Sequence, residues 1–188
     1  MSSAEKSDKQ KVEGFVKSLI VKGIQVLAVD FDQTLLSIHS GGQWRDGVES
    51  LAQHVRPCMR DLLQYAIQRG LFVCIVTFFK QAWLIRELLQ HVFPKRIAGK
   101  ILVQANTIDL LQRQGPDEFV GKEAHLINVF NELYQKHHVV VNSREVMLLD
   151  DDEENVRTAI QFGHYSFLIP PDLNYENFES FAKMLTVT

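Results

Sequence analysis

Five short runs along the chain are apolar at successive positions rather than at alternate ones. Continuous runs of this kind are typical of parallel strands that are buried on both faces of a sheet. The runs are QVLAVDF (25–31), LFVCIVTF (71–78), KILVQA (100–105), EVMLLD (145–150) and YSFLI (165–169). We therefore expect five buried strands.

The segments between these runs carry apolar residues at helical spacing. The segment from Pro57 to Gln68 opens with a proline and is followed by Gly70, which is the usual punctuation of a helix. Further helices are predicted at about 15–20, 47–54, 81–91, 122–137, 153–162 and the C-terminus, with a loop at Gly115-Pro116 before residue 122. This alternation predicts an α/β, Rossmann-like three-layer sandwich with a five-stranded, mostly parallel sheet and right-handed crossovers.

The length of 188 residues suits one domain with its own core, and is short for two. Residues 1–11 are polar, and we expect a disordered N-terminal tail followed by a single domain at 12–188. Cys58 and Cys74 lie in apolar company, so we interpret them as buried thiols. No stretch resembles a secretory signal or a membrane span. The expected location is cytoplasmic.

The balance of charge narrows the possible partners. A net charge of -3 and a pI near 6.2 weigh against a nucleic-acid binder, which usually carries a basic excess, without excluding nucleic acid. A phosphorylated substrate remains compatible with this balance, because a metal ion can supply positive charge locally.

Polar and acidic residues follow three of the predicted strands at their carboxyl ends, where open α/β sheets bind ligands. They are Asp30, Asp32 and Thr34 after the first strand, Thr77 after the second, and Asp150, Asp151 and Asp152 after the fourth. Five clustered carboxylates would repel one another unless a cation lay between them. Oxygen-rich sites of this kind suit Mg²⁺.

The spacing of Asp30 and Asp32 adds a chemical role. Residues two apart on a strand point the same way, but a break after Phe31 would let the second carboxylate swing aside. One carboxylate could then bind metal and attack a substrate while the other transfers protons.

These residues resemble the motifs of the haloacid-dehalogenase-like (HAD-like) phosphatases. Asp30-Phe31-Asp32-Gln33-Thr34 is similar to the first motif, D-x-D-x-T, and the apolar strand that ends at Thr77 is similar to the second. Lys122 opens the helix before the fourth strand, as in the third motif. The fourth motif, an apolar strand followed by D-D-x-x-x-N, resembles residues 148–155. All four occur in the family's order.

The resemblance implies a role for each matching residue. Asp30 would attack phosphorus and become the aspartyl-phosphate, and Asp32 would protonate the leaving oxygen and then activate water. Thr77 and Lys122 would hold the phosphoryl oxygens. The implied Mg²⁺ ligands are Asp30, the main-chain carbonyl of Asp32, and Asp151. Asn155 fixes the register of the fourth motif, and Asp150 and Asn155 would hold the ligands in place.

Some readings of individual residues stay open. The family often has glycine where this chain has Gln33, which could crowd the phosphate or donate to it. Thr34 either binds substrate or only satisfies backbone groups of a turn. Lys80 and Lys100 compete with Lys122 for the phosphate role. Dehalogenating and phosphonate-cleaving relatives lack a carboxylic acid at the position of Asp32, so its presence favours phosphate-ester chemistry.

Neither gap between the motifs is long enough for a globular cap domain. The 42 residues between Thr34 and Thr77 form two helices, and the 44 between Thr77 and Lys122 form a helix, a strand and a loop. We therefore expect an open site with the loop from His39 to Trp44 as a partial lid, and Trp44 as a substrate contact. An open site suits a macromolecule such as a phosphoprotein, or a small metabolite if a second subunit of a homo-oligomer acts as the lid.

The function predicted from the sequence is a magnesium-dependent phosphatase that hydrolyses a phosphate monoester through an aspartyl-phosphate. Two alternatives remain open: a phosphotransferase that passes the phosphoryl group to an acceptor other than water, and a catalytically silent binding protein with the same fold. The set of Asp30, Asp32, Thr77, Lys122 and Asp151 argues against a silent module, which has no need of converging polar groups.

Overall fold

The computed structural model of the chain describes residues 3–106 and 121–187. The predicted loop at Gly115-Pro116 lies outside the described residues. The rest of the predicted alternation of strands and helices is present and forms one α/β domain.

The five predicted strands are confirmed, and they form one sheet in the order β3-β2-β1-β4-β5. Their bounds are β1 Val26–Val29, β2 Phe72–Val76, β3 Ile101–Gln104, β4 Val146–Asp150 and β5 Tyr165–Leu168. Every pairing between them is parallel. Val29 lies opposite both Ile75 and Leu149, so the three central strands end at the same edge. At β1 the strand order reverses, which is the switch point where such sheets bind ligands.

Helices cover both faces of the sheet, as the predicted three-layer sandwich requires. They are α1 Ser3–Lys22, α2 Val48–Ala52, α3 Pro57–Gln68, α4 Ala82–Val92, α5 Lys95–Ala98, α6 Glu123–His137, α7 Glu153–Gln161 and α8 Tyr175–Val187. Successive strand residues point to opposite faces. Leu27 and Val29 therefore join one buried cluster with α1, α3, α4 and α8, while Val26 and Ala28 join a second with α6 and α7. No large further domain accompanies this sandwich in the described ranges.

The N-terminal segment differs from its prediction. We expected residues 1–11 to be disordered, but α1 begins at Ser3 and continues without a break to Lys22. Most of its first residues, such as Glu5 and Lys9, are good helix formers. Lys11 also forms an ion pair with Glu176 of α8 at 2.5 Å, and Val12 is buried. Its contacts with α8 therefore tie the polar end of α1 to the domain.

Both cysteines are free, buried thiols, as predicted. Cys58 lies in the first turn of α3 with its Sγ 3.9 Å from the carbonyl oxygen of Leu173, and Cys74 lies in the middle of the central strand β2. Burial raises the pKa of the Cys58 thiol to about 11, and raises the pKa of Cys74 still further. None of the helices that the structure describes has the length and hydrophobicity to cross a bilayer.

Candidate active site

A pocket of about 300 Å³ opens at the carboxyl ends of β1, β2 and β4. It is lined by Asp30, Asp32, Gln33, His39, Gly42, Thr77, Phe78, Phe79, Lys122, Asp150, Asp151, Asp152 and Asn155. A larger groove of about 650 Å³ lies beside β5 and α8, but no carboxylate lines it. The smaller pocket is therefore the candidate active site, because it combines carboxylates, a lysine and a threonine hydroxyl.

A tight turn after β1 separates the two aspartates. Residues Phe31–Leu35 form one turn of π-helix that is interrupted at Asp32 and Gln33. Gln33 has φ 54°, in the left-handed region that side chains other than glycine's adopt at a cost. The backbone thus gives a reason why glycine is common at this position in the family that the motif resembles. With this interruption, the Asp30 carboxylate pairs with Lys122, whereas the Asp32 carboxylate bonds the loop at His39 and Ser40.

Asp30 and Lys122 form a buried ion pair at the bottom of the pocket. The Lys122 Nζ lies 2.5 Å from Asp30 Oδ1 and 3.8 Å from Asp150 Oδ2, and it also donates to the Val76 carbonyl oxygen. The ring of Phe78 lies against the same ammonium, 4.1 Å from it. Burial raises the pKa of Asp30 to about 7, and the Lys122 charge opposes this rise. Lys122 therefore favours the ionised form that a nucleophile needs.

The side chain of Asp32 is held by the loop that was predicted to be a partial lid. Its Oδ2 accepts hydrogen bonds from the main-chain N–H of Ser40 at 3.1 Å and the Ser40 hydroxyl at 2.7 Å, and lies 3.1 Å from His39 Nδ1. Its Oδ1 is buried and has no hydrogen-bond partner among the described residues. One carboxylate oxygen is thus anchored, while the other is buried without a hydrogen-bond partner among the described residues.

Three carboxylates come close enough to share a cation. Asp30, Asp150 and Asp151 each offer one oxygen, and these oxygens lie within 4.8 Å of one another. Burial raises the pKa of Asp150 and of Asp151, as it does for Asp30. A divalent cation would relieve the repulsion between them, and carboxylate oxygens are its preferred ligands. The residues present therefore fit the predicted metal site.

Asp150 and Asn155 have contacts other than those we predicted. We expected Asn155 to mark Asp151 as the ligand, but its amide donates to both oxygens of Asp150, at 3.1 and 3.2 Å. The main-chain N–H of Asp152 also donates to Asp150 Oδ1 at 2.9 Å. Asp150 is therefore itself a member of the carboxylate cluster, and Asn155 fixes its orientation. Both partners of Asp150 lie within five residues of it in the sequence.

Asp151 is held by the turn after β1. The Thr34 hydroxyl donates to Asp151 Oδ1 at 3.3 Å, and the Gln33 amide donates to Asp151 Oδ2 at 3.1 Å. Of the two roles that the sequence left open for Thr34, its position favours a structural one, because Thr34 is fully buried and does not line the pocket. Gln33, whose role the sequence left open, lies at the pocket and orients a candidate metal ligand.

Thr77 and Trp44 have contrasting positions. Thr77 lines the pocket, and its hydroxyl oxygen accepts a hydrogen bond from the Phe79 N–H at 3.1 Å, so its own proton can be donated to a ligand. Trp44, predicted as a substrate contact, is half-buried against the core and lies outside the pocket lining. Its indole N–H donates to the Gly47 carbonyl, and Gln81 bonds its main chain. Trp44 anchors the loop, and His39 and Gly42 face the pocket instead.

A buried pair that the sequence did not indicate fixes the start of α6, where Lys122 lies. His164 Nε2 lies 3.1 Å from Glu123 Oε2, and His164 Nδ1 lies 2.9 Å from the Ser143 carbonyl oxygen. Both ring nitrogens face acceptors, which favours the imidazolium. Burial alone would lower the pKa of His164, but the hydrogen bonds to Glu123 and Ser143 outweigh it and raise the pKa.

Removal of this imidazole should destabilise the protein in a pH-dependent way. His164→Leu leaves Glu123 buried and unpaired, and we expect a loss of about 3–5 kcal/mol in the free energy of unfolding at pH 6. The contribution of a group with a raised folded pKa is complete below its unfolded pKa of about 6.5 and fades as pH rises through the folded value. Urea unfolding of wild type and variant at pH 6 and pH 9 should therefore show a smaller difference at pH 9. An equal or larger difference at pH 9 would contradict the charged assignment.

Comparison with known proteins supports the fold independently of the motifs. No protein-family model matches the chain, and no curated protein matches it in sequence. A HAD-superfamily hydrolase from Ehrlichia chaffeensis superposes with a TM-score of 0.55 at 13% identity, over 87% of this chain and 98% of that one. The HAD domain of the effector protein Lem4 from Legionella pneumophila, an inactive mutant, gives a TM-score of 0.51 at 14% identity, over 87% and 93%.

An uncharacterized protein from Corynebacterium glutamicum gives a TM-score of 0.48 at 21% identity, over 87% of this chain and 95% of that one, which is too distant to argue from. At these identities the first two similarities establish the fold and nothing finer. The chain has the HAD-like fold, as its four motifs predicted.

Proposed function

We propose that this protein is a magnesium-dependent phosphatase that hydrolyses a phosphate monoester through an aspartyl-phosphate on Asp30. The observation that carries the proposal is the composition of one pocket. A buried carboxylate paired with a lysine, a second carboxylate with one free oxygen, and a cluster of three carboxylates meet at the switch point of the sheet. Each of these groups has a distinct use in phosphoryl transfer.

In the first step, Asp30 attacks phosphorus while the bond to the leaving oxygen breaks. Lys122 and the Thr77 hydroxyl hold the phosphoryl oxygens, and Asp32 gives its proton from Oδ1 to the leaving oxygen. In the second step, the now ionised Asp32 takes a proton from water as the water attacks the aspartyl-phosphate. Inorganic phosphate leaves, Asp30 returns as a carboxylate and Asp32 is protonated again.

The residues proposed to hold Mg²⁺ are Asp30, Asp151 and the main-chain carbonyl of Asp32, with Asp150 beside them in the same cluster. The ion would supply positive charge that offsets the negative charge of the phosphoryl oxygens. Thr34 and Gln33 hold Asp151 in place, and Asn155 holds Asp150. The proposed metal ligands are thus held by two separate segments, the turn after β1 and the start of α7.

The pocket is open as far as the described residues line it, which favours a large substrate such as a phosphoprotein. Residues 35–76, between the first two motifs, form α2, α3, β2 and their connections rather than a cap. A small ester would find few contacts beyond its phosphoryl group, and remote contacts are what position a substrate. His39 is two-thirds exposed at the mouth and is the loop side chain placed to contact a bulky leaving group.

The test of this function uses a generic aryl phosphate. Hydrolysis of p-nitrophenyl phosphate should require Mg²⁺ and stop in excess chelator, because the carboxylate cluster repels the substrate dianion without a cation. Acid quenching during turnover of a phosphorus-labelled substrate should trap label on Asp30, located by peptide mapping. Full activity in excess chelator would disprove the metal assignment, and label on another residue would disprove the nucleophile.

A further inference from the structure

A buried arginine outside the pocket lining bonds the turn after β1. Arg56, directly before α3, is only 7% exposed and does not line the active-site pocket. Its Nη2 donates to the carbonyl oxygens of Gln33 at 3.1 Å and Pro171 at 3.0 Å, and its Nε donates to Leu36 at 3.3 Å. All of these partners are main-chain carbonyls, and within the described ranges Arg56 forms no ion pair with a carboxylate.

The backbone of the same segment is joined to the same turn. The Arg56 N–H donates to the Leu35 carbonyl at 3.0 Å, the Ser37 N–H donates to the His54 carbonyl at 2.8 Å, and Leu36 and Val55 form an antiparallel bridge. These bonds hold the end of the turn. The guanidinium extends the support further back, to Gln33, which directly follows Asp32.

Gln33 is where such support has most effect. Its left-handed backbone is unfavourable for a residue with a side chain, so the turn relies on its surroundings to keep this shape. Its N–H donates to the Ile38 carbonyl, its carbonyl accepts from Arg56, and its amide side chain bonds Asp151. A change at the Gln33 peptide would therefore move Asp32 on one side and release Asp151 on the other.

Burying a guanidinium without a counter-charge is costly, and an apolar residue could fill this position at a lower cost. The planar fork of Arg provides several N–H donors in fixed directions, whereas a Lys ammonium has no such fixed geometry. The arrangement at Arg56 uses that feature, since one side chain joins the turn after β1 to the loop after β5.

We propose that Arg56 is a positioning residue for the active site, which acts through the Gln33 peptide on Asp32 and Asp151. The proposal rests on the proposed phosphatase function for its kinetic consequences, but not for its structural ones. Without Arg56, the carboxylate of Asp32 and the metal ligand Asp151 lose their fixed positions while the rest of the domain remains folded.

Arg56→Ala removes the guanidinium and leaves space that a free guanidinium ion can fill, so the main experiment is chemical rescue. We expect kcat for p-nitrophenyl phosphate to fall about 10²-fold, since small displacements of reacting groups have effects of this size, with little change in KM. Mg²⁺ binding, measured by calorimetry without substrate, should weaken. Amide hydrogen exchange at residues 33–36 should become faster. Added guanidinium at non-denaturing concentration should reverse all three changes, and methylammonium should not.

Two further variants make the result decisive. Arg86→Met removes another guanidinium that bonds a carbonyl, that of Val103, but on an exposed side chain outside the pocket lining, and should leave all three measurements unchanged. If Arg56→Ala does not fold alone, Arg56→Lys provides the same measurements and should show a smaller loss. Unchanged kcat, Mg²⁺ affinity and exchange in the folded variant would overturn the proposal. A wild type without phosphatase activity would overturn the proposed function alone, because exchange and its guanidinium rescue still test Arg56.

Discussion

Asp30→Asn is expected to lower the rate of phosphate release by at least ~10³-fold, or roughly 4 kcal/mol of barrier. The substitution keeps the shape of the side chain but removes the nucleophilic oxygen and one carboxylate of the cluster. Lys122 keeps Asp150 Oδ2 at 3.8 Å and the Val76 carbonyl oxygen as partners, so the loss of the Asp30 charge should not unfold the domain. Steady-state kinetics and a thermal melt of the same sample would show lost activity with retained fold.

The exposed aspartate Asp46 provides a control on the loop near the pocket. Asp46→Asn makes the same chemical change outside the pocket lining and should leave the rate unchanged. An Asp30→Asn variant within tenfold of wild type would mean that another group attacks phosphorus.

Asp32→Asn is expected to slow turnover by about 10²–10⁴-fold, the range typical of a lost general acid or base. The loop donors on Oδ2 should still hold an asparagine oxygen, so the turn should keep its shape. The loss should depend on the leaving group. p-Nitrophenol leaves readily without a proton, so its ester should still phosphorylate Asp30 and give a burst of product, after which the aspartyl-phosphate accumulates. An alkyl phosphate should give no burst.

Mg²⁺ affinity separates this explanation from a structural one. The proposed ligand at Asp32 is its main-chain carbonyl, which the substitution retains, so calorimetry should give nearly the wild-type affinity. A large loss of Mg²⁺ binding, or equal rate losses for aryl and alkyl esters, would contradict the proton-transfer role.

The strands, and the polar residues that directly follow them, were predictable because both depend on the local sequence pattern. A strand buried on both faces must be apolar at every position, and a residue just beyond its end must lie at the edge of the sheet. That reasoning placed Asp30, Thr77 and Asp150 in one pocket without further information. Lys122 was proposed for the site only through the resemblance to the third motif, and its Nζ lies 2.5 Å from Asp30 Oδ1.

What the sequence could not provide were the contacts between segments far apart in the chain. The sequence left Thr34 open between a substrate contact and a structural role in the turn, and it could not show that the hydroxyl bonds Asp151, 117 positions away. The left-handed backbone of Gln33 is invisible to propensity, because tertiary contacts such as that from Arg56 enforce it. The contacts of Trp44 could not be predicted for a similar reason, since a tryptophan in a polar loop gives no sign of whether its ring faces the solvent or the core.

The helix at the N-terminus illustrates the limit of composition. A polar, charged segment predicts disorder when it has nothing to pack against. Here Val12, Phe15 and Leu19 are buried, and the preceding residues extend the same helix. A helix that is anchored at one end grows at little further cost, because only nucleation is expensive.

The buried thiols of Cys58 and Cys74 can report two different opening motions of the folded protein. A thiol reagent reacts with the thiolate, which neither cysteine forms readily while it is buried. Cys58 touches the carbonyl of Leu173, so its labelling requires only that the segment before α8 lift from α3. Cys74 is exposed only when the central strands separate. The ratio of the labelling rates of Cys58 and Cys74 therefore compares local opening with global unfolding, and it needs no engineered probe.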